Sequence, residues 1–186
     1  MMVAPAQPEP GRPDAVPTFE QVYERHFDFV WRSLRRLGVP HAALDDAAQE
    51  VFLVVHRRLA EFEGRALLKT WLFSIALRVA QRTLRTQARR RAGELTEAHT
   101  LSSERSPQDE AALNETVRLV YELLDGLTPE KRAVFVMAEL EQFTAPEIAQ
   151  MTGTPLNTVY ARLRSARRDF ELALARLRAT ERWRTP

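Results

Sequence analysis

The chain has 186 residues, a formal net charge of +2, 45% apolar and 28% charged residues, and no cysteine. That balance is ordinary for a globular protein of one domain or two small ones, and the missing thiols exclude a disulfide framework and any thiolate metal site. No apolar run approaches the roughly 20 residues a membrane span needs, and the first residues lack a charged-then-apolar signal, so a cytoplasmic protein without membrane insertion is expected.

Residues 1 to 17 hold five of the eleven prolines and little periodicity, which reads as a disordered leader. Thr18 and Gln21 then have capping-box spacing, and Phe19, Val22, Tyr23, His26, Phe27, Val30, Leu34 and Leu37 recur at helical intervals. Gly38, with Pro40 just beyond, ends that core helix. In the next segment Ala47, Ala48, Val51, Phe52, Val54, Val55 and Leu59 fill one side of a helical wheel. On the other side Asp45, Asp46, Gln49, Glu50, His56 and Arg57 surround Leu53. An apolar centre with a polar rim makes a docking patch for a basic partner helix, and a plain solvated face has the same pattern.

After Phe62 a short loop containing Gly64 leads to a helix expected from about residue 70 to 91. Leu72, Ala76, Val79, Ala80 and Leu84 form its apolar side, while Trp71, Arg78, Arg82, Arg85 and Arg89 share one line. From Arg78 to Arg91 there are six arginines and no acid. Like charges at that spacing repel, and a phosphate backbone relieves the repulsion. Trp71, beside Lys69 and Thr70, can stack on an unpaired base or pack in the core.

From residue 92 to 113 the chain turns polar and aperiodic, as a flexible linker does. The expected architecture is therefore all-α, with two small helical domains at 18–91 and 114–180. In the second, a helix bearing Val117, Leu119, Val120, Leu123 and Leu124 breaks at Gly126. Thr128 and Pro129 open another, with Ala133, Val134, Val136, Met137 and Leu140 inward. Thr144 and Glu147 form a second capping box, and that helix stops at Gly153. Thr154 is then expected as an N-cap with Pro155 at the first helical position.

On this last helix Val159, Leu163, Ala166 and Phe170 make a narrow apolar stripe, with Asn157, Ala161, Arg164 and Arg168 opposite it. Two short helices joined by a turn, the second with an open arginine face, read as a helix-turn-helix that enters the DNA major groove. Arg164 suits guanine and Asn157 suits adenine, while Tyr160, Arg162 and Arg167 flank the face as phosphate contacts. Thr158 and Ser165 complete the candidate interface.

His26, His41, His56 and His99 are scattered without metal-ligand spacing, and no Gly-rich phosphate loop is present. No catalytic residue, metal or cofactor is therefore expected, and the protein is not read as an enzyme.

Together the two halves resemble an extracytoplasmic-function sigma factor, the branch of the sigma-70 family that has only region 2 and region 4. Asp46-Ala-Ala-Gln49-Glu50-Val-Phe52 is similar to the family's D-x-x-Q-E-x-F clamp-binding helix. Lys69-Thr-Trp71-Leu72-Phe-Ser-Ile75-Ala76 resembles its F-R-x-W-L-x-x-I-A segment, and Leu127-Thr-Pro129, Glu147-Ile148-Ala149, Thr158-Val159, Arg162-Leu163 and Ala166-Arg167 resemble the region-4 signature. Leu68 stands where the family usually has phenylalanine, Leu77-Arg78 replaces an Arg-Asn pair, and Asn157 replaces a glycine.

The resemblance implies that Asp46, Gln49, Glu50, Leu53 and His56 face the clamp helices of the RNA polymerase beta-prime subunit. It implies that the loop from Glu61 to Lys69 and the helix after it, with Lys69, Thr70, Trp71, Arg78, Arg82, Arg85 and Arg89, capture the melted minus-ten strand. The helix-turn-helix, held at the flap of the beta subunit, would read the minus-thirty-five element, and an anti-sigma factor is an expected partner. From the residues alone the alternative is a stand-alone helix-turn-helix regulator whose first half dimerises or binds a ligand. Such a regulator needs neither the acidic helix nor the first arginine stripe.

Overall fold

A computed structural model describes residues 17–62, 67–94 and 115–182, with no side-chain description at 91–94 and 180–182. The expected leader up to residue 16, Gly64, His99 and most of the expected linker lie outside the described residues. Seven α-helices account for most of what is described: α1 Phe19–Arg36, α2 Leu44–Arg58, α3 Leu68–Glu94, α4 Glu115–Asp125, α5 Pro129–Phe135, α6 Ala145–Thr152 and α7 Leu156–Arg182.

The first three helices pack on one another. Thr18 closes a reciprocal cap on α1: the Gln21 amide donates to its hydroxyl at 3.3 Å and its own amide donates to the Gln21 side chain at 3.1 Å. Gly38 ends the helix at φ +97°, a conformation that costs a residue with a side chain more than it costs glycine. Val30 and Leu34 of α1, Val51 and Val55 of α2, and Leu72 and Ala76 of α3 are fully buried together. The wheel of α3 omitted Phe73 and Leu77, which are buried because α3 lies against both α1 and α2. Helix α3 also starts two residues earlier and runs three residues longer than the periodicity predicts.

In the second group Pro129 sits in the first turn of α5, where its missing N–H has no helical acceptor to lose. The expected helix does not continue regularly through Leu140, because Val136–Leu140 widens into a π turn. The Glu141 amide donates to the Val136 carbonyl at 3.0 Å, and Gln142 follows at φ +60°. Helix α6 ends at Gly153, φ +63°, and α7 begins one residue later than expected. The Pro155 carbonyl accepts from the Thr158 and Val159 amides, while the Thr154 hydroxyl accepts from Arg162 at 3.4 Å instead of capping the helix.

Candidate nucleic-acid interface

Helix α7 turns on a buried stripe. Val159, Leu163 and Ala166 are buried, and the Phe170 ring stacks 4.7 Å from Phe135. The opposite side therefore faces outward, and Asn157, Tyr160, Ala161, Arg164, Arg167 and Arg168 are all exposed. Arg164 and Asn157 have no hydrogen bond or ion pair to another described residue through their side chains, so their donors are available to a base edge. Two of the flanking residues are engaged otherwise than expected. Arg162 is half-buried on Thr154, and Arg167 is held by Glu139, with Nε at 2.8 Å and Nη2 at 2.7 Å. Thr158 and Ser165 are half-buried at the edges of the face.

The helix before it is positioned by charge at its start. The Glu147 carboxylate accepts from the Thr144 hydroxyl and amide, both at 2.7 Å, and these bonds hold its pKa below the usual range. Likewise the Lys131 ammonium bonded to Asp169 lowers that carboxyl's pKa and ties α5 to α7.

On α3 the side chains of Arg78, Arg82, Arg85 and Arg89 are exposed along one line, opposite the buried Leu72, Phe73 and Ala76. Arg82 donates to Glu50 at 2.7 Å, and Arg85 bonds the Gln81 carbonyl at 3.1 Å. At the head of the line Lys69 is exposed and stands over the Phe29 ring, 5.5 Å from its centroid, and Thr70 is half-buried. Trp71 is half-buried against Phe62, with ring centroids 5.3 Å apart, so part of its indole serves packing. Leu77, one of the departures from the family pattern, is buried and offers nothing to a ligand.

The α2 face is as the wheel places it: Asp46, Gln49, Leu53 and His56 are exposed and Glu50 is half-buried. Leu53 is 51% exposed and opens onto a groove walled by Phe19, Tyr23 and Phe27 of α1. Tyr23, expected in the core, is 43% exposed; its ring lies across the groove, 4.8 Å from Phe52. The sequence carried a signal for this wall, an aromatic every four residues along α1. Through the Glu50–Arg82 pair the α2 face and the α3 arginine line adjoin. His26, behind Lys69, has its pKa pushed down by burial first and then by Lys69 and Arg25.

Among the described residues no group of histidines and carboxylates is placed to hold a metal ion, and no helix is long and apolar enough to cross a membrane. The fold is thus a three-helix group joined to a helix-turn-helix group, each with an arginine line on a long helix. Family models for sigma-70 region 2 and sigma-70 region 4 match residues 22–90 and 118–170, respectively.

Among curated relatives, the chain is 30% identical over 142 residues to the ECF RNA polymerase sigma-E factor of Escherichia coli strain K12, covering 72% of this chain and 74% of that one. It is 26% identical over 167 residues to the RNA polymerase sigma factor YlaC of Bacillus subtilis, covering 88% and 94%. The solved sigma factor RpoE of Bartonella quintana, in complex with the anti-sigma factor NepR, has the same fold. Its TM-score is 0.64 at 20% identity, covering 84% of this chain and 96% of that one. The chain belongs to the extracytoplasmic-function branch of the sigma-70 family; it is an RNA polymerase sigma factor and acts in transcription initiation.

Proposed function

We propose that α2 docks the chain on core RNA polymerase while α3 and α7 hold the two promoter elements. Asp46, Gln49, Glu50 and His56 form the polar rim around Leu53, and the aromatic wall of α1 extends its apolar centre. The clamp helices of the beta-prime subunit are the partner this surface fits, and the flap of the beta subunit supports the second group. The α3 line from Lys69 to Arg89, with the loop before it, takes the minus-ten strand as it melts. Exposed indole surface at Trp71 supplies stacking to an extruded base. Helix α7 reads the minus-thirty-five duplex through Arg164 and Asn157, with Arg168 on phosphate.

The observation that carries this reading is geometric. On α3 and on α7 the exposed arginine line backs onto a stripe packed in the core, so neither helix can turn its charge away from a ligand. Each line alone makes few phosphate contacts and binds weakly. Fixed on one polymerase, the second contact gains from high effective concentration, and the pair discriminates where neither part does. All of this is binding and positioning, so the protein works in the cytoplasm as a non-enzymatic factor. The complex of the structural relative with its anti-sigma factor supports an anti-sigma partner here as well.

Run-off transcription with core polymerase on a genomic promoter library tests the proposal. New start sites are expected only when the protein is added. The same start sites without it would overturn the reading.

A further inference from the structure

Helix α7 carries Arg162, Arg164, Arg167 and Arg168 close together, and the fold does not leave them equivalent. Arg162 donates to the Thr154 hydroxyl at 3.4 Å. Arg168 lies 3.7 Å from Asp169, whose carboxylate also takes the Lys131 ammonium. Arg167 turns Nε and Nη2 onto one oxygen of Glu139, at 2.8 and 2.7 Å. Of the four, Arg164 alone makes no such contact among the described residues.

An α-helix advances roughly 100° per residue, so Arg167 and Arg168 stand one turn beyond Arg164, about 60° to one side of it and about 40° to the other. A helix lying in a major groove about 12 Å wide has the sugar-phosphate walls on those two flanks. Arg167 is thus placed where a guanidinium would meet phosphate, yet a carboxylate already occupies it.

That carboxylate is held in place by backbone. Glu139 belongs to the π turn Val136–Leu140, in which Val136 and Met137 are fully buried. The Glu141 amide donates to the Val136 carbonyl at 3.0 Å and the Phe143 amide to the Met137 carbonyl at 2.9 Å, while the Gln142 side chain donates to the Glu139 carbonyl at 2.8 Å. The Glu139 side chain is 34% exposed and that of Arg167 55%. A pair this open to water contributes little to stability, so its consequence lies in the charge it cancels.

We infer that Glu139 is a positioning residue for promoter binding: it withholds the Arg167 guanidinium from the DNA backbone and leaves discrimination to Arg164. The inference rests on α7 being the helix that reads the upstream duplex. A phosphate contact strengthens binding to every sequence alike, whereas a bidentate contact to a base edge strengthens only the matching one. Keeping Arg167 paired therefore lowers the affinity for DNA in general and leaves the preference intact. Such a weaker grip shortens the stay on every non-promoter site.

The test is binding of the full chain with core polymerase to a promoter duplex, and to the same duplex with its upstream element scrambled, across a range of salt. Glu139→Gln keeps the size of the side chain and removes its charge. It should steepen the salt slope by about 0.9, the increment of one further phosphate contact, and raise the affinity for both duplexes about fivefold at about 0.15 M salt. Combining it with Arg167→Gln should return both quantities to the parent values, with the preference between the duplexes constant and the melting temperatures level throughout. An unchanged or shallower slope in Glu139→Gln would overturn the inference, as would a double variant that stays as steep as the single one. Weaker binding with a lowered melting temperature would make Glu139 a structural residue instead. Arg164→Ala runs beside them: if it relaxes the preference while Glu139→Gln changes nothing, α7 reads the duplex and only the role of Glu139 fails. If Arg164→Ala leaves preference and affinity alone, the reading of α7 fails and takes the role of Glu139 with it.

Discussion

Leu53→Ala separates docking from folding. Leu53 is 51% exposed in the free chain, so about half of its surface remains to be covered by a partner. Fully burying a leucine side chain is worth about 1.5–3 kcal/mol, so covering that half contributes about 1 kcal/mol, most of which alanine forfeits. The expected loss is roughly fivefold in affinity for core polymerase, with the melting temperature unchanged. Val51, two residues away on the same helix, is fully buried. Val51→Ala should do the reverse, costing about 2 kcal/mol of stability through lost burial and a cavity. The assay is a fluorescence competition for core polymerase beside thermal melts of both variants. Leu53→Ala binding as tightly as the parent would refute the placement of the docking face on α2.

Arg164→Ala should relax discrimination at one upstream base pair by about 1–3 kcal/mol, measured by competition among single-substituted duplexes; a uniform loss would make it a phosphate contact only. Replacing Arg82 and Arg85 together should reduce the salt slope of DNA binding by the assembled complex by about 1.4–1.8, and an unaltered slope would mean the line faces only water. For His26 the unfolded chain takes up its proton at the ordinary pKa, while burial holds the folded value lower. Stability should therefore be fully present above about pH 6.5 and fall as the pH drops below it. His26→Gln should flatten that part of the curve in melts between about pH 7.5 and 5.5, and an unchanged curve would show that His26 is not its source.

Periodicity and capping carried most of the fold. Val159, Leu163 and Ala166 are buried as their spacing demanded, and the capping residues Thr18, Thr144 and Gly153 stand at the helix ends where they were expected. A wheel assumes one buried side, which is why Phe73 and Leu77 escaped: α3 is covered by two neighbours at once. It also scores an aromatic as core, which is why Tyr23 was misplaced; its ring packs on Phe52 while its edge lines an open groove. The π turn at Val136–Leu140 has no local signature, since the same apolar residues would serve a regular helix. The pairings Glu139–Arg167 and Glu50–Arg82 join residues 28 and 32 positions apart. No spacing rule links such residues; only the packing of whole helices brings them together. No spacing marks a partner for Arg35 or Arg36 at the end of α1, and only the fold shows them meeting Tyr121 and Glu141.

The most direct measurement is the affinity ratio between a target promoter duplex and a scrambled one, taken with and without core polymerase at a single salt concentration. The ratio should be large in the assembled complex and close to one for the isolated protein. An equally large ratio for the protein alone would contradict the claim that its two arginine faces become a promoter detector only when polymerase holds them apart.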